Sequence, residues 1–208
     1  MSENVELTNP VDLSVGGMSG HVFRRAIHIG MSAIPIVFFE FGDSIADAFN
    51  STTQQAVSII ILTVLAVEGV RLKLGFTIFG QREYEAHQVS ALAWGSFAVG
   101  MVFLLAPHEA YAWPIVLSLS LGDPFMGELR RRGMDSRNVI VYSCVFLISI
   151  WLTCWHFFAT PFWLAFLLGP LCVVSEWPRL RYIDDNATMV LIPLGAVLLL
   201  EPFLLVMA

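Results

Sequence analysis

Seven stretches of this chain contain no Asp, Glu, Lys or Arg: residues 26–39, 56–67, 89–107, 110–122, 139–155, 157–175 and 187–200. A helix needs about 20 residues at 1.5 Å rise to cross about 30 Å of hydrocarbon, and each stretch reaches that length once its flanks are included. The expectation is an all-α, polytopic integral membrane protein with seven transmembrane helices. Composition agrees: 13% charged residues is far below the roughly 25% of a soluble domain, and the mean hydropathy is +0.73.

Threading the seven stretches puts every basic residue on one side. Arg24 and Arg25 precede the first span; Arg71, Lys73 and Arg82 follow the second; Arg130, Arg131, Arg132 and Arg137 follow the fourth; Arg179 and Arg181 follow the sixth. The other side carries Asp43, Asp47, His108, Glu109, His156 and Glu201. By the positive-inside rule the chain runs N-in and C-out. Residues 1–21, with Glu3, Glu6 and Asp12, lack an apolar run and read as a polar cytoplasmic tail; residues 22–208 read as one membrane domain. The net charge of -6 gives no reason to expect nucleic acid. Cys144, Cys154 and Cys172 lie inside apolar spans, where a free thiol behaves as a small hydrophobe. The sequence leaves room for a homodimer.

An ionisable group inside hydrocarbon costs about 2.5–3.5 kcal/mol on insertion scales, so polar clusters at helix ends are where function is sought. The basic face holds five. Arg24 and Arg25 lie four and three residues before His28, which puts imidazole beside guanidinium on one helical face; a membrane anchor plus a packed histidine is the plainer account. Glu68 and Arg71 are an i, i+3 pair, equally readable as a helix-terminal ion pair. Residues 81–87 (Gln-Arg-Glu-Tyr-Glu-Ala-His) form a charged loop around Arg82, either solvated or a lid. Asp123 stands about six residues, roughly 9 Å, before the next arginine run. Pro124 disfavours helix at Asp123, so a chain break is expected there, exposing a helix start that favours anions. A snorkelling Asp on a kinked helix is the alternative. Asp184, Asp185 and Asn186 supply hard oxygen ligands of the kind Mg²⁺ takes, although Asp185 or Asn186 would also cap the last helix.

Carboxylates for a divalent cation, arginines for phosphate oxygens and a lipid bilayer setting point to phosphoryl or nucleotidyl transfer onto a lipid. No P-loop or soluble-kinase signature is present. The succession Arg-Arg-x-x-His-x-Gly (24–30), Glu-x-x-Arg (68–71), Arg-Glu-x-Glu (82–85), Gly-Asp-x-x-x-Gly (122–127) and Ile-Asp-Asp-Asn-x-Thr (183–188) resembles the polyprenol kinase family, which includes dolichol, phytol and CTP-dependent diacylglycerol kinases. The resemblance spans residues 22–200. It departs at 133–138, where the family's Lys-Ser-x-Glu-Gly-like element lacks Glu-Gly, and at Pro124 and Glu128, where small residues are common.

The resemblance implies CTP- and Mg²⁺-dependent phosphorylation of a long isoprenoid alcohol from the cytosolic side. It implies that Gly122, Asp123, Gly127, Asp184, Asp185 and Asn186 contact the nucleotide phosphates and metal. Arg25, His28, Glu68, Arg71 and Arg82 line the same cavity. Mechanistically, Asp123, Asp184 and Asp185 are expected to hold Mg²⁺, Asp185 to accept the alcohol proton, and Arg130 and Arg131 to neutralise phosphates. A cytidylyltransferase making a CDP-lipid would use the same parts. A small-molecule transporter is a more distant rival, disfavoured because the strong polar clusters share one face. A retinal photoreceptor is excluded, since the sole lysine, Lys73, lies outside the spans.

Overall fold

The structure is a computed structural model describing residues 14–177, 180 and 182–207. Glu3, Glu6, Asp12, Arg179 and Arg181 lie outside the described residues. Among those described there are nine α-helices: α1 Gly17–Gly30, α2 Ile34–Ala48, α3 Thr53–Leu74, α4 Ala91–Leu105, α5 Glu109–Leu117, α6 Asp123–Arg131, α7 Ser136–Phe158, α8 Leu164–Glu176 and α9 Asp185–Met207. The core of each charge-free stretch lies in helix. Three helices are long and apolar enough to cross a membrane: the run Gly17–Ala48, in which a 3-10 turn joins α1 to α2, then Ser136–Phe158 and Asp185–Phe203. Ala91–Leu105 and Leu164–Glu176 are apolar but shorter.

The helices pack from the inside out. α9 lies between α4 and α8, α7 packs on α8 and α5, and α3 packs on α4. Trp151, Leu119, Leu147, Leu168 and Met189 are fully buried between them. Apolar helices surrounded by lipid gain little from burying more apolar surface, so close contact at small residues holds them together. Ile61 of α3 fills the space over Gly100 of α4, where a Cβ would stand 2.5 Å from the isoleucine Cδ1. Gly169 of α8 lies against Ile148 of α7 in the same way, its Cβ position 3.1 Å from the Ile148 backbone nitrogen. The Gly17–Ala48 run is peripheral, with 11% of its most apolar window buried against 44% for Asp185–Phe203. Ile36, Val37 and Phe41 on α2 and Ile59, Ile60 and Leu62 on α3 face outward. An outward apolar surface of this kind is one that a membrane or a partner protein covers.

One expectation is corrected, and two helix boundaries are placed. The chain does not break at Asp123-Pro124. Backbone between α5 and α6 stays helical as a π-helical segment, Ser118–Gly122, and Asp123 has φ -58 and ψ -51. Widening the helix by one residue accommodates the donor that proline lacks. The 139–155 stretch extends by its flanks into α7, which ends at Phe158, where Ala159 turns left-handed with φ 56. α1 begins at Gly17, ahead of the expected tail boundary at residue 21, and Ser14 bridges to Arg82. Gly16 (φ 93) permits that approach, since a Cβ there would stand 2.2 Å from Phe79.

Candidate functional site

The loop between α3 and α4 is held by Arg71. Its guanidinium donates to both Glu68 oxygens (2.9 and 2.7 Å) and to the carbonyls of Phe76, Glu85 and Gln88 (2.8, 2.7 and 2.8 Å). Glu68 also accepts from the Ser90 backbone N–H at 2.6 Å. Every N–H of the Arg71 guanidinium therefore has a protein acceptor. Glu68 and Arg71, expected to line a nucleotide cavity, are a buried clamp that shapes the loop. That shape brings Glu85 inward, where it accepts from Arg24 at 2.8 Å and from the backbone of Arg82 and Ala91.

One face of α1 meets α6. His28 Nδ1 stands 3.2 Å from Asp123 Oδ2, an ion-pair contact without hydrogen-bond alignment, and has no other partner among the described residues. One turn away Arg25 donates to Glu128. The Arg25 guanidinium lies over Gly127, where a Cβ would stand 3.4 Å from Nη2 in ordinary van der Waals contact. Glu128 also accepts from Arg131 and Arg132. Hydrogen bonds from Arg131, Arg25 and Arg132 hold its carboxyl well below the usual carboxylate range. Gly122, expected beside the nucleotide, packs closely in the core, its Cβ position 2.8 Å from Leu147 and 2.9 Å from Met189.

The third part comes from α8 and α9. Arg130 forks onto Glu176 at 2.6 and 2.9 Å and stacks over Trp177, 5.0 Å from the ring centre. The cap of α9 is neither Asp185 nor Asn186 but Asp184, whose carboxylate accepts from the Asn186 backbone at 3.1 Å. Asn186 in turn donates to the Ala91 carbonyl at 3.4 Å, tying the start of α9 to the start of α4. Burial, and then the charge of adjacent Asp185, push the Asp184 carboxyl up to about 8. The charge of Arg82 reaches Asp184 and Asp185, and that of Arg130 reaches Asp123 and Asp185.

Four of the five clusters thus meet at one end of the molecule, and the fifth, Glu68 with Arg71, supports the loop that joins them. Among the described residues no three His, Cys, Asp or Glu side chains form a ready metal site. The adjacent Asp184 and Asp185 carboxyls supply the one or two carboxylates by which Mg²⁺ is commonly held, with substrate phosphates completing the shell. Beside them runs a cavity of about 60 Å³ between α1, the loop and the starts of α4 and α9. Phe23, Ile27, Met31, Phe79 and Leu92 are among its apolar lining residues; Arg24, His28, Gln81, Glu85 and Asn186 are its polar members.

Sequence reasoning passed over His21. It shares a helical face with Arg25 and His28 at i, i+4 and i+7, a spacing visible in the sequence but assigned to the tail. Compared with family models, curated proteins and solved structures, the chain matches none.

Proposed function

We propose that this chain is a membrane lipid-alcohol kinase that transfers the terminal phosphoryl group of a nucleoside triphosphate, CTP by its resemblance, to an isoprenoid-type alcohol. In this reading all seven apolar helical stretches traverse the bilayer, N-in and C-out, and the charged end faces the cytosol. The observation that carries it is a cavity lined by Phe23, Ile27, Met31, Phe79 and Leu92 together with Arg24, His28 and Asn186, with His28 standing 3.2 Å from Asp123 of α6. Pockets that hold drug-sized ligands measure roughly 300–1,000 Å³, so a cavity of about 60 Å³ suits the end of one unbranched or isoprenoid chain.

The alcohol oxygen attacks the γ-phosphorus; the new O–P bond forms as the bridge to the β-phosphate breaks, and the nucleoside diphosphate leaves with the electron pair. His28, on the cavity wall, takes the hydroxyl proton, and the Asp123 carboxylate 3.2 Å from Nδ1 stabilises the imidazolium that forms. Asp185 is not on that wall, so it and Asp184 would hold the cation, with substrate phosphates completing the shell. Mg²⁺ bound there supplies charge neutralisation on the phosphates. Arg25, Arg82, Arg130 and Arg131 retain N–H groups for phosphate oxygens.

The test is transfer of γ-labelled phosphate from CTP to a polyprenol by the purified protein, with product analysis. Release of CDP supports the kinase; release of pyrophosphate replaces it with the cytidylyltransferase. No transfer to any lipid alcohol ends the proposal.

A further inference from the structure

On the facing sides of α1 and α6, His28 meets Asp123 and Arg25 meets Glu128. One turn further along α1 stands His21, which has no acid opposite it; the charge that reaches it from α6 is that of Arg131, whose Nε and Nη2 are engaged by Glu128. His21 is 9% exposed and its Nε2 has no hydrogen-bond partner among the described residues. The charges of Arg24, Arg25, Arg82 and Arg131 converge on it from three separate segments. Ser14, at the threshold of the same helix, is likewise 9% exposed with an unpartnered hydroxyl. Protein rarely leaves buried donors unpaired without a reason, and a helix N-terminus adds free backbone N–H groups to those of the side chains.

We infer that His21, Arg131 and the first turn of α1 form a phosphate-binding subsite, in which a phosphoryl group supplies the missing anion. Nothing in the transfer chemistry above uses His21. A doubly charged phosphate offers oxygens to several donors at once, which a chloride or a single carboxylate does not. A soluble nucleotide or diphosphate and a lipid headgroup are the two sources of such a group; both present the same oxygens to this site.

Inorganic pyrophosphate titrated into the detergent-solubilised full chain, followed by calorimetry and by melting temperature, tests the inference. Wild type should bind, and His21→Ala and Arg131→Gln should each bind about tenfold more weakly, the loss expected for one charge-assisted hydrogen bond. His21→Glu provides a further discriminating variant. It places a carboxylate where the phosphate belongs, so it should abolish binding while raising the melting temperature, which a packing role for His21 does not predict. Competition by CTP identifies the nucleotide as the source. Stabilisation by phosphatidic acid micelles over neutral micelles, lost in His21→Ala, identifies a headgroup. Wild type that binds neither probe, or His21→Ala that binds as wild type does, overturns the site. Binding through His21 in a protein without transferase activity would preserve this site and remove the kinase reading.

Discussion

The two ends of the helix bundle use polar residues differently. At the end where α2 meets α3, the contacts are mostly local: Thr52 and Gln55 form a capping box, Ser51 donates to Ala46, and Thr53 donates to Asp43 ten residues away. At the other end the partners are distant in sequence, with Arg24 bonded to Glu85, Arg25 to Glu128, Arg130 to Glu176 and Asn186 to Ala91. The first end closes helices. The second gathers charge from separate segments around a cavity and leaves guanidinium N–H groups unused, an arrangement a structural network alone does not require.

The sharpest way to break this contrast is Glu68→Ala. It strands the Arg71 guanidinium, with 5% of its side chain exposed, and removal of one partner of a buried ion pair costs about 3–5 kcal/mol. Loss of the loop's shape should follow, measured by denaturation and by proteolysis within residues 76–90. A fully stable variant would mean that the clamp does not organise the charged end. His28→Asn comes next. Loss of a general base costs about 10²–10⁴ in rate, and the effect should fall on kcat for transfer, with KM for CTP little changed. An equal loss in Asp185→Asn but none in His28→Asn would return the proton acceptor to α9.

Thr52→Ala examines the plain end. An N-cap contributes about 1 kcal/mol, so melting should fall by a few degrees and transfer activity at permissive temperature should stay at the parent level. A selective loss of activity would show that the two ends are coupled rather than separate.

Much of the charged end was legible because insertion into a bilayer penalises charge. That penalty sorts Arg24, Arg71, Arg82 and Arg130 to one side before any packing is known. Helical spacing likewise made the Glu68–Arg71 pair readable. Three features were not legible. At Pro124 the missing donor argued for a break, whereas a π-helical stretch kept the chain helical, a choice set by packing of Gly122 on Leu147 and Met189. Asp184, Asp185 and Asn186 are all good caps chemically, and only the bond from Asn186 to Ala91 selects Asp184 by fixing where α9 starts. Nor does local sequence reveal that Arg71 exhausts its donors on the loop carbonyls, because those acceptors are placed by the fold.

The smallest effect concerns Asp184. In the folded chain its carboxyl is pushed from 3.8 up to about 8 by burial and by Asp185. Between those values the folded protein keeps a proton that the unfolded chain has released, so this group's contribution to stability declines as pH rises through that window. Asp184→Asn retains the capping oxygen and removes the titration. Its melting temperature should match the parent's near pH 4 and exceed it at pH 8. Mg²⁺ should narrow the gap at pH 8 by favouring the ionised pair in the parent. A gap that ignores both pH and Mg²⁺ would place Asp184 with Thr52, as a helix cap and nothing more.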